Sequence, residues 1–345
     1  MFQDISIDEL ITLKNTEELT VIDVRSPSEY KDATIPGSIN IPFFNDEERA
    51  EVGTIYKQVG QQAAKDRGLE IMSAKLPGFV KKFREIEGKK AVFCWRGGMR
   101  SRTSATVLSL MGVKALRLDG GYRSFRNWTV DKLNTVEWKP DALVLNGYTG
   151  SGKTIILHRL QTEGYPVIDF EGLANHRGSI FGQIGMEPSN QKKFDGLLIE
   201  NILRLQDSPY VIFEGESRRI GKVSLPDFVL EKKQKGLQLF IDMPIEERIK
   251  HILDDYQPWN HEQECLEAYA RIKRRIHTPI ANKIESDLES GSYSSAIGLL
   301  LEYYYDPLYD HTAKQIPADQ KITIKADNID EAVDLLKNHL NVNQI

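Results

Sequence analysis

Short runs of β-branched and aliphatic residues alternate along the chain with longer amphipathic stretches. Residues 20–23 (TVID) and 90–93 (KAVF) are the first two runs. Each is followed by a polar loop, the pattern of a buried strand in an α/β sheet. Residues 115–118 (ALRL) form a third and stop at Asp119-Gly-Gly. Helical patterns at 77–86 and 103–111 lie between them, and strand alternating with helix predicts a parallel sheet whose strand ends carry the chemistry.

The rhythm breaks at 138–141 (WKPD), where Pro140 excludes a continuing helix. It restarts with strands at 142–146 (ALVLN), 166–169 (PVID), 210–214 (YVIFE) and 237–242 (LQLFID). The last three end in an acid. A long helical pattern follows from 245 to 305, then a strand at 321–325 and a closing helix. The expectation is an α/β chain of two domains, residues 1–139 and residues 140–345, the second with a mainly helical region at about 245–310. A length of 345 residues agrees with two domains of roughly 150 residues each.

Composition removes several classes. Hydrophobic residues at 40% and charged residues at 28% exclude disordered and fibrous chains. No apolar run approaches the roughly 20 residues a bilayer crossing needs, and MFQDISIDEL lacks the basic and then apolar start of a signal peptide. A cytoplasmic protein without a membrane partner is expected. Two cysteines, Cys94 and Cys265, cannot build a disulfide framework. The net charge, 45 − 50 = −5, argues against nucleic acid, but its distribution does not. Residues 1–60 carry 5 basic and 12 acidic side chains, net −7, whereas residues 71–130 carry 13 and 3, net +10.

GYTGSGKT at 147–154 fits the phosphate-loop pattern between a strand and a helix. Gly147, Gly150 and Gly152, with Thr149 and Ser151 between them, let backbone N–H groups curl around an anion, and Lys153 reaches the outer phosphates. Thr154 is the expected Mg²⁺ ligand. Asp169 and Glu214, at the ends of following strands, are candidate Mg²⁺-linked carboxylates or bases. Glu216 either joins them or faces solvent.

Cys94-Trp95-Arg96-Gly97-Gly98-Met99-Arg100-Ser101 is a second strand, loop and helix cradle. Its glycines free N–H groups, and Arg96 and Arg100 add charge that favours a thiolate. Cys94 is therefore a candidate nucleophile, whereas Cys265, in a helical pattern without such neighbours, reads as packing. The spacing also suits a cysteine phosphatase, but Phe93 stands where that chemistry wants a histidine. A phosphatase or a sulfurtransferase joined to a kinase-like P-loop domain remains the alternative from these residues.

Residues 1–139 resemble a rhodanese domain through Asp23-Val-Arg-Ser26 with Glu29 and Tyr30, through 35–42 (IPGSINIP), through the Cys94 loop, and through Leu118-Asp-Gly-Gly-Tyr122. The loop is one residue longer than the common one, which leaves room for a donor other than thiosulfate. A rhodanese domain ahead of a P-loop domain is similar to the bacterial tRNA 2-selenouridine synthase family. CWRGGMRS, GYTGSGKT, 171–179 (EGLANHRGS) and 214–221 (EGESRRIG) carry that resemblance.

The resemblance implies a transferase that replaces the sulfur of wobble 2-thiouridine with selenium from selenophosphate, through an S-geranyl intermediate made from geranyl diphosphate. No redox cofactor is implied. Cys94 would handle the chalcogen, with Arg96, Arg100 and the loop amides on the donor anion, and the P-loop would hold the prenyl diphosphate. Glu171, His176, Arg177 and Arg218 are expected beside the P-loop. The tRNA anticodon arm would come to Arg102, Arg117, Arg123 and Arg126, and the enzyme that makes selenophosphate is an expected partner. Trp95 either stacks on an unstacked uracil or packs as a core residue. Arg271, Lys273, Arg274 and Arg275 either extend the RNA track along a helix or form a solvated face.

Overall fold

The computed structural model describes residues 2–16, 18–313 and 316–342. The chain divides into two compact units, Met1–Val136 with Asp195–Glu200, and Glu137–Phe194 with Asn201–Ile345.

The first unit runs β1 (Gln3–Ile5), α1 (Ile7–Thr16), β2 (Leu19–Asp23), α2 (Pro27–Asp32), β3 (Ile39–Asn40), α3 (Asp46–Gln58), α4 (Gln61–Arg84), β4 (Lys89–Phe93), α5 (Met99–Leu110), β5 (Leu116–Leu118) and α6 (Gly121–Thr135). Its sheet is parallel throughout, in the order β1-β5-β4-β2-β3. Helices on both faces leave no wet side, so Ala91, Val92 and Phe93 of the central strand are all fully buried. The helix expected from residue 77 instead begins at Gln61, with Pro77 in its interior. Met72, Phe79, Val80 and Phe83 are buried along one face of α4, and that apolar stripe outweighs the hydrogen bond the proline forfeits.

In the second unit the order is β6 (Asp141–Gly147), α7 (Lys153–Thr162), β7 (Val167–Ile168), α8 (Phe170–Ala174), α9 (Gln191–Arg204), β8 (Tyr210–Glu214), β9 (Arg219–Ile220), β10 (Val223–Ser224), α10 (Asp227–Lys235), β11 (Leu237–Asp242), α11 (Ile245–Tyr256), α12 (Glu262–Ala270), α13 (Thr278–Glu289), α14 (Tyr293–Leu300), α15 (Asp306–Ala313), β12 (Lys321–Lys325) and α16 (Ile329–Val342). The parallel order β12-β11-β6-β8-β7 puts β6 at the centre. The chain leaves β6 to one side and returns on the other, which places the phosphate loop at a topological switch point. β9 and β10 form a separate antiparallel pair.

The helical part has a core of its own, with Tyr269, Ile272, Ile284, Leu300 and Leu301 buried in it. A single π-helical turn, Leu301–Tyr305, joins α14 to α15. The basic run near 271 does not lie along a helix. Arg271 caps the end of α12 and Lys273–Arg275 form a 3₁₀ turn, because Ile272 and Ile276 on either side are drawn into the core. Among the described residues no helix is long and apolar enough to cross a membrane.

Candidate functional site

In the first unit the motifs of the sequence meet at one thiol. Cys94 follows β4 and is buried, with Sγ 3.2 Å from Ser101 Oγ in the first turn of α5. The chain after β5 crosses directly over it. Tyr122 N donates to Cys94 O at 2.8 Å and Arg123 N donates to Trp95 O at 2.9 Å. That crossing explains the glycine pair. Gly121 has φ +60°, and a Cβ there would lie 2.2 Å from Cys94 O and 2.5 Å from Gly97 N. Gly121→Ala should cost about 1–3 kcal/mol for the strained backbone alone and displace the loop. A lowered thermal midpoint together with faster alkylation of the uncovered Cys94 by a small thiol reagent would register both effects.

The Asp23-Val-Arg-Ser26 segment supports the loop from the other side. Arg25, 1% exposed, pairs with Asp23 at 2.6 Å, and its guanidinium lies 4.5 Å from the ring centre of Tyr122. Trp95, 37% exposed, lies 5.6 Å from Tyr122 ring to ring. It is thus braced beneath and open above.

The expected cations separate into two groups. Arg100 is held by Glu29, with its two terminal nitrogens 2.5 and 3.1 Å from the carboxylate oxygens. Burial alone would raise the Glu29 carboxyl, but the hydrogen bonds and charge of Arg100 hold it below the ordinary range. Arg117 does not face an RNA surface. It is 2% exposed, paired with Asp4 on β1, and donates to Gly97 O, so it fastens the loop from inside the sheet. Arg126 is half-buried and paired with Asp195 at 2.7 Å. Arg96, Arg102 and Arg123 are exposed, as are Gly98 and Met99.

In the second unit the phosphate loop bends around positive-φ glycines. A Cβ on Gly150, φ +82°, would stand 2.7 Å from Arg248 O and 2.8 Å from Ile252 Cδ1, so α11 packs against the loop without room for a side chain. Lys153 Nζ donates to Gly147 O at 3.1 Å and to Tyr148 O at 3.4 Å, with the Tyr309 ring 5.9 Å away. Ser151 Oγ, fully buried, has no hydrogen-bond partner among the described residues. The loop opens on a cavity of about 540 Å³ lined by Lys153, Thr154, Asp169, Glu171, His176, Arg177 and Glu216, among others.

The carboxylates of this cavity are stacked in depth. Thr154 Oγ1 donates to Glu171 Oε2 at 3.2 Å, and Glu171 N donates to the buried Glu214 Oε1 at 2.6 Å. Asp169 caps α8 through Gly172 N and meets His158 Nε2 at 2.7 Å. Burial, with the charges of Glu216 and Asp169, pushes the Glu171 carboxyl up to about 8 despite Lys153 and Thr154. Burial first, and then Asp169 and Glu171, holds Glu214 well above the ordinary range.

Because the folded protein binds the Glu171 proton more tightly than the unfolded chain, this stability is complete below about pH 4.5 and is lost as pH rises through about 8. The thermal midpoint of the ligand-free protein should therefore fall over that range. Glu171→Gln should lessen the slope, and equal slopes in scanning fluorimetry would refute the assignment.

His176 is buried. Its Nδ1 accepts from Gly178 N at 3.2 Å, and burial, then the charge of Arg177, lowers its pKa. Arg177 pairs with Asp255 at 2.8 Å and lies 4.6 Å from the Tyr256 ring, which fastens residues 177–184 to α11. Arg218 does not reach the cavity; exposed, it pairs with Asp227 at 2.6 Å. Arg271 lines a neighbouring cavity of about 330 Å³ with Lys222 and His176. Lys273 is paired with Glu285, and Arg274 and Arg275 are exposed.

Two residues on α11 went unassigned in the sequence. Arg248, 3% exposed, donates through Nε to Thr149 O at 2.9 Å and grips Asp306 with both terminal nitrogens. His251 Nδ1 is 3.0 Å from Gly150 O. Together they brace the phosphate loop. An arginine on the apolar side of an amphipathic helix is the signal that marks such a residue.

A family model described as the tRNA 2-selenouridine synthase AAA domain matches residues 140–342, and one described as a rhodanese-like domain matches residues 6–127. The tRNA 2-selenouridine synthase of Bdellovibrio bacteriovorus is 33% identical over 347 residues, covering 86% of this chain and 90% of that protein. The protein of that name from Nitrosomonas europaea is 33% identical over 359 residues, covering 89% and 92%. Among solved structures, the N-terminal domain of a putative ATP/GTP binding protein from Clostridium difficile 630 is 34% identical, with 37% of this chain and 99% of that chain covered and a TM-score of 0.35.

Proposed function

Because the chain belongs to the tRNA 2-selenouridine synthase family, we propose that it replaces the sulfur of wobble 2-thiouridine in tRNA with selenium from selenophosphate, through an S-geranyl intermediate made from geranyl diphosphate. The supporting observation is that one chain holds both a buried thiol in a glycine-lined loop and a phosphate loop opening on a cavity. Each of these answers one half of the chemistry.

In the first half the 2-thiouridine sulfur attacks C1 of the geranyl group. The C1–O bond breaks, its electron pair leaves on the diphosphate, and the uracil N3 proton is released. Lys153 and the loop amides stabilise the charge that develops on the leaving group. No ATP hydrolysis is needed.

Hard oxygen donors at the cavity, Thr154 Oγ1 and the Glu171 side chain, suit Mg²⁺. Among the described residues no group of three or more His, Cys, Asp or Glu side chains is placed to hold a metal ion by itself. Bound there, Mg²⁺ would neutralise diphosphate charge.

In the second half selenium attacks C2, the geranyl thiolate leaves with the electron pair, and hydrolysis of the P–Se bond yields phosphate. Alkylation turns a poor leaving group into a good one. Cys94 handles the selenium, while Arg96 and the N-terminus of α5 attract the donor anion. Trp95, partly exposed, would stack on the unstacked uracil. Arg102 and Arg123 supply phosphate contacts for the anticodon arm. Incubating the protein with thiolated tRNA, geranyl diphosphate and selenophosphate and analysing nucleosides by mass should reveal S-geranyl-2-thiouridine and then 2-selenouridine. If neither nucleoside forms, the proposal fails.

A further inference from the structure

The helical part of the second unit lines a second, mainly apolar cavity of about 60 Å³. One water needs roughly 10–15 Å³ on the same measure, and cavities of this character stay dry and take hydrocarbons. Its walls include Leu288, Ile297, Leu300, Leu301 and Cys265, with Leu301 supplied by the π-helical turn. Burial pushes the Cys265 thiol up to about 11, so it lines the wall as an uncharged group.

The position of this cavity matters more than its size. Thr149, Ser179, Ile252 and Tyr256 line both it and the phosphate cavity, so the two adjoin beside the phosphate loop. At that neck Ser179 Oγ and Tyr256 Oη hydrogen-bond each other at 3.0 Å, while Tyr305 Oη, also in the lining, has no partner among the described residues. A ligand with one anionic end and one apolar end fits such a pair.

We propose that this cavity seats the hydrocarbon chain of the prenyl diphosphate and sets the chain length the protein accepts, with the diphosphate on the phosphate loop and C1 at the neck. The inference rests on the prenyl-diphosphate reading above. It adds a site and a selectivity. Each buried methylene is worth roughly fourfold in affinity, so a C10 donor gains substantially over a C5 donor only if the added carbons enter the cavity.

The test uses the full chain, thiolated tRNA, and dimethylallyl, geranyl and farnesyl diphosphates, with kcat/KM for S-prenylation read by mass and inorganic diphosphate binding read by calorimetry. Wild type should prefer the C10 donor to the C5 donor by at least ~10-fold. Leu300→Phe, which fills the cavity, should lower kcat/KM for C10 about 10-fold or more while leaving C5 and diphosphate binding within about threefold. Leu300→Ala, which enlarges it, should raise the C15 to C10 ratio and keeps the test open if the larger residue prevents folding.

Equal losses for all three donors, or a wild type indifferent to chain length, would overturn the chain seat and leave the prenyl reading intact. A wild type that transfers none of the three would overturn both.

Discussion

Cys94→Ala should bind thiolated tRNA and form S-geranyl-2-thiouridine as the wild type does, yet produce no 2-selenouridine above background. The loop survives the change because its shape does not depend on the sulfur. Backbone bonds from Tyr122 and Arg123, the Arg117 contact to Gly97 O and the Arg25 stack hold it. Removing one small buried atom costs about 1 kcal/mol, so lost selenation would report chemistry. Cys94→Ser keeps the size and the polar contact to Ser101 and should fail equally, since a hydroxyl lacks the soft sulfur that handles the selenium. Accumulation of the geranylated nucleoside, measured by mass, is the expected signature. A Cys94→Ala protein that still makes 2-selenouridine would remove the thiol from the mechanism.

The two loops were legible because each is written in consecutive residues. Strand, glycines, cation and helix follow one another at 90–111 and again at 142–160, and both runs fold locally. What the sequence concealed depends on pairing over distance. Arg117 and Arg100 look like surface cations until their partners Asp4 and Glu29 arrive from 113 and 71 positions away, which moves Arg117 from a predicted RNA contact to a structural pin. Arg248 was hidden for the same reason, since its partners are Thr149 O and Asp306. Edge strands β1 and β3, three and two residues long, are too short to show a period. The basic run at 271 misled through its composition, because the buried isoleucines within and beside it decide the backbone path.

Lys153→Ala should cripple geranylation while sparing selenation of tRNA that already carries the S-geranyl group. The ammonium lies at the N-terminus of α7, donating to Gly147 O and Tyr148 O, and these bonds are available for exchange against the oxygens of a diphosphate. Removing one preorganised donor from developing negative charge costs roughly 10²–10³-fold in rate. Lys153→Arg keeps the charge, but its planar fork replaces a compact point charge, so partial activity is expected from it. Stability should hardly change, because the ammonium loses only two hydrogen bonds, at 3.1 and 3.4 Å, and Lys153 itself lines the cavity, where water can take its place. The decisive measurement supplies chemically geranylated tRNA with selenophosphate. Normal 2-selenouridine formation by Lys153→Ala on that substrate, together with lost turnover from 2-thiouridine, would assign the P-loop to prenyl transfer. Equal loss on both substrates would show that the phosphate loop also serves the selenium step, and the division of labour between the two loops would then be wrong.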